Sequence, residues 1–230
     1  MTSPPSDSRP RLLDGVMLLA LAAVAGAVTR ILAFTPYEVH QGAAQKIYYI
    51  HVPAAMSAYL ALGVVAAMSI VYLWLHDERS DRLAESAAEV SFVFTTVVLV
   101  TGPLWARPIW NTWWSWDARL NLTLFLWFVT AAYLVLRGAI EQDAMRARYS
   151  AVLGVLAALL VPFIHLSVYL FRTMHPMPIV LKPSEPSLPR EMLTTFLIAS
   201  LAFLFFGVAL IRARYRLTPL LRSSAGGGNA

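Results

Sequence analysis

The stretch MLTTFLIASLAFLFFGVALI, residues 192–211, holds twenty consecutive positions without a single charged side chain. A helix of about twenty apolar residues is long enough to cross the hydrocarbon core of a bilayer. Five similar runs precede it, so the sequence predicts an all-α, polytopic membrane protein, a bundle of six transmembrane helices. The predicted spans are about 12–34, 49–75, 86–105, 118–137, 149–171 and 192–211.

The composition agrees with a membrane protein, because 58% of the 230 residues are hydrophobic and only 13% are charged. We expect residues 1–222 to form a single six-helix domain, which leaves no room for a soluble enzyme domain. No GxxxxGK[ST] phosphate-binding motif occurs, and we expect no enzyme activity in this chain. Residues 223–230 are rich in Ser and Gly and are expected to be a disordered tail.

Cysteine is absent from the sequence. This excludes disulfides, thiolate catalysis, cysteine-based zinc sites and covalent c-type haem attachment. Any cofactor must be held by His, Met, carboxylate or aromatic groups.

The distribution of Lys and Arg predicts the orientation in the membrane. With the N-terminus inside, eleven of the 18 basic residues are cytoplasmic and seven are not. The eleven are Arg9, Arg11, Arg79, Arg82, Arg137, Arg146, Arg148, Arg212, Arg214, Arg216 and Arg222. The positive-inside rule therefore favours two cytoplasmic termini, with outer loops at about 35–48, 106–117 and 172–191. Because the basic residues fall in short loops, nucleic-acid binding is not favoured.

Tryptophan is concentrated in the second outer loop, before helix 4. Five of the seven tryptophans lie within residues 105–116, the stretch that leads into helix 4: Trp105, Trp110, Trp113, Trp114 and Trp116. An interfacial aromatic belt would account for one or two of them. Five tryptophans in so short a stretch predict a flat apolar platform for a large planar π-ligand or a hydrophobic partner.

Two charged residues follow the tryptophans. Asp117 stands just before helix 4, where its carboxylate is expected to cap the helix N-terminus. Arg119, in the first turn, could pair with Asp117 or meet a carboxylate of an anionic ligand. The sequence leaves both roles open.

Two histidines are predicted at outer helix ends. His51 is at the outer mouth of helix 2 and His175 at the outer end of helix 5, so the pair could provide the axial ligands of a haem iron. An ordinary interfacial hydrogen bond is the alternative for each. His165, roughly 15 Å deeper along helix 5, is the rival second ligand. His40 and His76 are expected to be solvated.

Residues 110–120, WNTWWSWDARL, resemble the WGxWWxWDxRLT signature of the haem-handling proteins of cytochrome c biogenesis. The six spans, with one histidine on each side of this motif, resemble the haem exporter protein C family, CcmC. Asn111 replaces the expected Gly and Asn121 the expected Thr. We expect a positive φ at position 111, a conformation that Asn tolerates best after Gly.

The resemblance implies that the protein binds haem b non-covalently at the periplasmic face of the bacterial inner membrane. It would deliver this haem to the periplasmic chaperone CcmE during cytochrome c maturation. His51 and His175 would ligate the iron, and the tryptophans with Asp117 would cover the haem and dock the chaperone. The implied partners are the ABC transporter subunits CcmA and CcmB and the small protein CcmD, with ATP hydrolysis in a partner.

Arg119, Arg107 and Arg172 are candidate contacts of the haem propionates. A partner-docking subunit of a transporter that does not bind haem remains the alternative. An electron-transfer cytochrome usually needs haems at both faces, and the inner side offers only His76, so it is not favoured.

Overall fold

The computed structural model describes residues 13–171, 173–180 and 182–226. Six long helices occupy most of them: α1 (Gly15–Thr29), α2 (Tyr48–Leu75), α3 (Glu78–Trp110), α4 (Ala118–Ala139), α5 (Asp143–Leu170) and α6 (Arg190–Gly226). A π-helical turn, Arg30–Phe34, extends α1, and a 3-10 helix, Ala43–Ile47, precedes α2. All six are long and apolar enough to cross a membrane, and no β-strand occurs in these residues. The predicted all-α architecture is confirmed.

Aspartates start three of the helices. Asp14 accepts from the Met17 N–H at 3.1 Å, Asp77 from the Ser80 N–H at 3.0 Å and Asp117 from the Leu120 N–H at 3.0 Å. Each carboxylate satisfies a backbone donor that the first helical turn leaves unpaired. The N-cap predicted for Asp117 is confirmed.

The first and last helices run antiparallel. Asp14, before α1, forms ion pairs with Arg212 at 2.6 Å and Arg216 at 2.9 Å, late in α6. At the opposite end of this pair, the Arg30 Nε donates to Thr195 Oγ1 at 3.1 Å. We call the end with Asp14 the terminal end. The connections that follow α1, α3 and α5 lie at the other end, the loop end.

Helix α2 packs against α3, α5 and α6, and small residues permit the close approach. Ala54, Ala58 and Ala61 of α2 are almost fully buried. On α5, a Cβ added at Gly154 would lie 2.8 Å from Ser69 Oγ and from Val65 Cγ1, so a larger residue would force these α2 side chains to move. Small residues let helix backbones approach closely in membranes, where the hydrophobic effect does not drive helix association.

Helix α3 is longer than predicted at both ends. The expected loop at 106–117 is shorter, because α3 continues through Pro103 and Pro108 to Trp110. Prolines are tolerated within transmembrane helices when neighbouring groups satisfy the freed backbone. Trp105 and Trp110 therefore lie on a helix, and residues 111–117 form the connection. The last helix, α6, also extends beyond its predicted span and includes residues 223–226. Residues 227–230 lie outside the described residues.

Candidate functional site

A cavity of about 430 Å³ lies at the loop end, among α2, α3, α4, α5 and the segment that follows α5. This volume is in the range of small-molecule binding sites. Eight residues that the sequence singled out line it: His51, Trp105, Trp110, Trp113, Trp114, Arg119, His165 and His175. The structure thus brings together three histidines, four tryptophans and one arginine from separate elements.

Other predicted residues lie outside this cavity. Trp116 is 80% exposed, with its ring 6.1 Å from that of Trp114. His40 is exposed in the connection after α1, and His76 is exposed at the terminal end, as predicted for both. Arg172 is not among the described residues.

His51 is held between α2 and α3. Its side chain is buried in the first turns of α2, and its Nδ1 lies 2.9 Å from Thr101 Oγ1 on α3. The ring meets Trp105 edge to face, with centroids 5.9 Å apart. Gly102 is its other neighbour, because a Cβ built there would lie 3.5 Å from His51 Cε1. These contacts leave the imidazole little rotational freedom.

His175 belongs to the segment after α5. Its Nδ1 lies 3.3 Å from the Pro176 carbonyl oxygen, and its ring centroid is 6.5 Å from that of Trp110. Partial burial, followed by the positive charge of Arg119, lowers the pKa of His175 from 6.5 to about 4. The imidazole is therefore neutral at neutral pH and can offer a nitrogen lone pair to a metal.

Arg119 carries a positive charge into the cavity. Its guanidinium lies close to the Tyr59 hydroxyl on α2 and near both His51 and His175. Within the described ranges no carboxylate forms an ion pair with it. Asp117 instead accepts from the Ser115 hydroxyl at 3.0 Å as well as capping α4.

The turn after α3 explains the motif position at Asn111. This residue adopts φ 54°, in the left-handed region that favours Gly and then Asn. The Arg107 guanidinium donates to the Asn111 carbonyl at 2.7 Å and lies over the Trp113 ring, 6.0 Å from its centroid. Arg107 therefore holds the turn and does not line the cavity. Asn121 closes the loop by donating to the Trp116 carbonyl at 3.2 Å.

Sequence reasoning missed three residues of the site. Tyr59 follows His51 by eight positions, about two helical turns, so helical periodicity could have placed both on one face. Thr101 contacts His51 across helices, and Gln41 accepts from the Trp105 Nε1–H at 3.0 Å. No local pattern marks these two, because both contacts depend on tertiary packing.

The cavity differs from a site for a bare metal ion. Zinc sites use three or four protein ligands drawn from His, Cys and carboxylates. In the part of the chain that the structure describes, no three such residues are grouped in this way.

The sequence matches the family CcmC, described as heme exporter protein C, over residues 7–226. The chain belongs to the heme exporter protein C family. A relative of that name in Haemophilus influenzae is 32% identical over 194 residues, which is 84% of this chain and 78% of the relative. Another, in Bradyrhizobium diazoefficiens, is 35% identical over 80% of this chain and 70% of the relative. A third, in Escherichia coli K12, is 36% identical over 62% and 58%. The family resemblance inferred from the tryptophan motif is confirmed.

Proposed function

We propose that this chain binds haem b non-covalently in the loop-end cavity, with His51 and His175 as axial ligands of the iron. The observation that carries this proposal is that two histidines from separate elements line one cavity together with four tryptophans. The name of the relatives, heme exporter protein C, supports haem as the cargo. The role we propose is haem export and delivery during cytochrome c maturation.

The donor set suits haem better than it suits a free ion. A porphyrin supplies four equatorial nitrogens, so the protein needs to supply only axial ligands, and histidine is a common one. The tryptophan side chains offer apolar and aromatic surface to a flat macrocycle. His165 also lines the cavity, from α5. We prefer His175, because its Nδ1 has a carbonyl partner and its ring lies near a tryptophan of the motif.

Arg119 is the propionate partner in this proposal. A cation in an apolar cavity is stabilised by an anionic ligand, and charge-assisted hydrogen bonds to carboxylates are stronger than neutral ones. The hydroxyl of Tyr59 would keep the guanidinium oriented. Arg107 is less suitable, because it holds the Asn111 turn outside the cavity.

Delivery requires haem to leave. Without cysteine the chain cannot form a thioether bond to haem, so an acceptor that binds haem more tightly can take it. Trp116 and Trp113 are 80% and 56% exposed at the loop end. We propose this surface as the docking site of the chaperone CcmE, because exposed aromatic patches mark interaction sites.

The orientation and the assembly belong to the same proposal. Because the sequence assigns eleven of the 18 basic residues to the cytoplasmic side, the positive-inside rule favours a loop end on the periplasmic side of the bacterial inner membrane. The partners would be CcmA and CcmB of an ABC transporter and the small protein CcmD, with ATP hydrolysed by a partner subunit.

The test is the visible spectrum of the detergent-purified protein titrated with haem. We expect a Soret band that is weakened in His51→Ala and in His175→Ala and kept in His40→Ala, the matched control outside the cavity. A normal spectrum in the double alanine variant would refute the axial assignment. Partner binding by a wild-type chain that binds no haem would support the docking-subunit alternative.

A further inference from the structure

The hydrogen bonds around Thr101 determine which nitrogen of His51 carries the proton. Thr101 Oγ1 lies 2.7 Å from the Val97 carbonyl oxygen, one turn earlier in α3, and 3.4 Å from that of Val98. A carbonyl can only accept, and a hydroxyl has a single proton to donate. That proton is therefore committed to the backbone of α3.

Thr101 Oγ1 can then meet His51 Nδ1, 2.9 Å away, only as an acceptor. Nδ1 must carry the proton, and in a neutral imidazole the other nitrogen, Nε2, keeps the lone pair. We propose that Thr101 is a positioning residue that fixes the Nδ1–H tautomer of His51 and so presents Nε2 as the iron ligand. This inference rests on the proposed haem-binding function.

The described residues offer the His51 ring no substitute for the contact with Thr101. It is the one hydrogen bond that the His51 ring makes to the described residues, and the residue is only 8% exposed. An N–H in such surroundings loses its interaction with water and needs a protein acceptor. His175 has the corresponding acceptor in a main-chain carbonyl, that of Pro176, which no substitution removes. Thr101 is thus the side chain through which the tautomer of a proposed ligand can be changed.

The experiment measures the ring ¹⁵N signals of the haem-free protein labelled with ¹⁵N-histidine. The His51 signals are identified by their loss in His51→Ala. We expect a proton on Nδ1 in the wild type and a shift of population to the Nε2–H form in Thr101→Val. Haem affinity should fall about tenfold in Thr101→Val, as is typical when the hydrogen-bond partner of a metal-ligating histidine is lost. Thr101→Ser keeps the hydroxyl and should show the wild-type tautomer of His51 and the wild-type haem affinity.

The matched control is Thr130→Val on α4. Thr130 makes the same pair of backbone hydrogen bonds, to Leu126 and Trp127 at 2.9 Å, but does not line the cavity. Thr130→Val should change neither the tautomer of His51 nor the affinity for haem.

A wild-type His51 protonated on Nε2 would overturn the inference without any variant, and so would a tautomer unchanged in folded Thr101→Val. Failure of the proposed function looks different, because haem would then stay bound when both His51 and His175 are replaced by alanine, and that result does not depend on the tautomer measured in the wild type.

Discussion

Gly102 lies beside the imidazole of His51 and also lines the cavity. A Cβ at this position would be in ordinary van der Waals contact with His51 Cε1, at 3.5 Å. A methyl group is therefore tolerated, whereas a longer side chain would occupy space that we assign to the ligand.

We expect Gly102→Ala to bind haem like the wild type and Gly102→Leu to lose at least about 1–3 kcal/mol of binding free energy from overpacking. Haem titration followed by absorbance measures both. The control is Gly63→Leu on α2, where an added Cβ meets nothing within 4 Å. Wild-type affinity in Gly102→Leu would show that haem does not approach this face of α3.

The role of Arg119 can be tested with two forms of the ligand. Arg119→Gln should weaken haem binding by about 1.5–3 kcal/mol, roughly ten- to a hundredfold, because a hydrogen bond to a charged group is lost. With haem dimethyl ester, whose propionates carry no charge, wild type and variant should bind alike.

The control for Arg119 is Lys46→Gln. It removes a positive charge at the loop end outside the cavity, where Lys46 donates to the Leu32 carbonyl at 2.7 Å. Equal losses with haem and with its ester would contradict propionate recognition by Arg119.

At the level of residues, the sequence predicted the local features that depend on adjacent positions in the chain. The cap formed by Asp117 and the left-handed turn at Asn111 follow from adjacent positions, and both predictions are confirmed. The contacts of Thr101, Gln41 and Tyr59 depend on how separate segments meet. A single sequence carries no signal for such contacts, apart from the helical spacing of Tyr59.

Between elements, α3 and α4 are joined at the terminal end by a buried ionic cluster. The Arg137 side chain is 4% exposed and donates to Asp81 at 2.6 and 2.9 Å and to Glu85 at 3.0 Å. Removing Arg137 would leave the Asp81 and Glu85 carboxylates in a poorly solvated site without the positive charge of the guanidinium.

We expect Arg137→Gln to lower the free energy of unfolding by about 3–5 kcal/mol. Arg146→Gln is the comparison, because Arg146 pairs with the exposed Asp143 and such pairs contribute about 0–1 kcal/mol. Thermal unfolding in detergent, followed by tryptophan fluorescence, compares the stabilities of the two variants. Equal midpoints would show that the cluster does not stabilise the packing of α3 on α4.

The positions of the helices could be predicted, because a long hydrophobic run directly indicates a segment that lies in the hydrocarbon core of the membrane. Their ends were less so, and α3 shows why. Residues 78–82, four of which are charged, form its first turns, and two prolines near its other end do not stop it. Hydropathy marks where a helix leaves the hydrocarbon, whereas caps and packing decide where the helix ends.

For the whole molecule, the orientation in the membrane is the prediction to test. The absence of cysteine means that one introduced thiol is the only one in the chain. Ser184 and Glu141 are both exposed, in the connection after α5 and in that between α4 and α5, at opposite ends of the bundle. We expect a membrane-impermeant maleimide added to spheroplasts to label Ser184→Cys. Glu141→Cys should react only after the membrane is permeabilised, and the reverse pattern would contradict the proposed orientation.

The ion pairs of Asp14 with Arg212 and Arg216 bring the first and last helices together at the terminal end. Circular permutation succeeds where the original termini are close and the new ones open in an exposed loop. If a linker joins α6 to Asp14 in place of the segments outside these helices and the chain is opened at Glu141, the order of helices becomes α5, α6, α1, α2, α3, α4. Every helix still crosses in its original direction, since α5 and α1 both begin at the terminal end. The bundle could thus be translated in a different order and still assemble the same cavity.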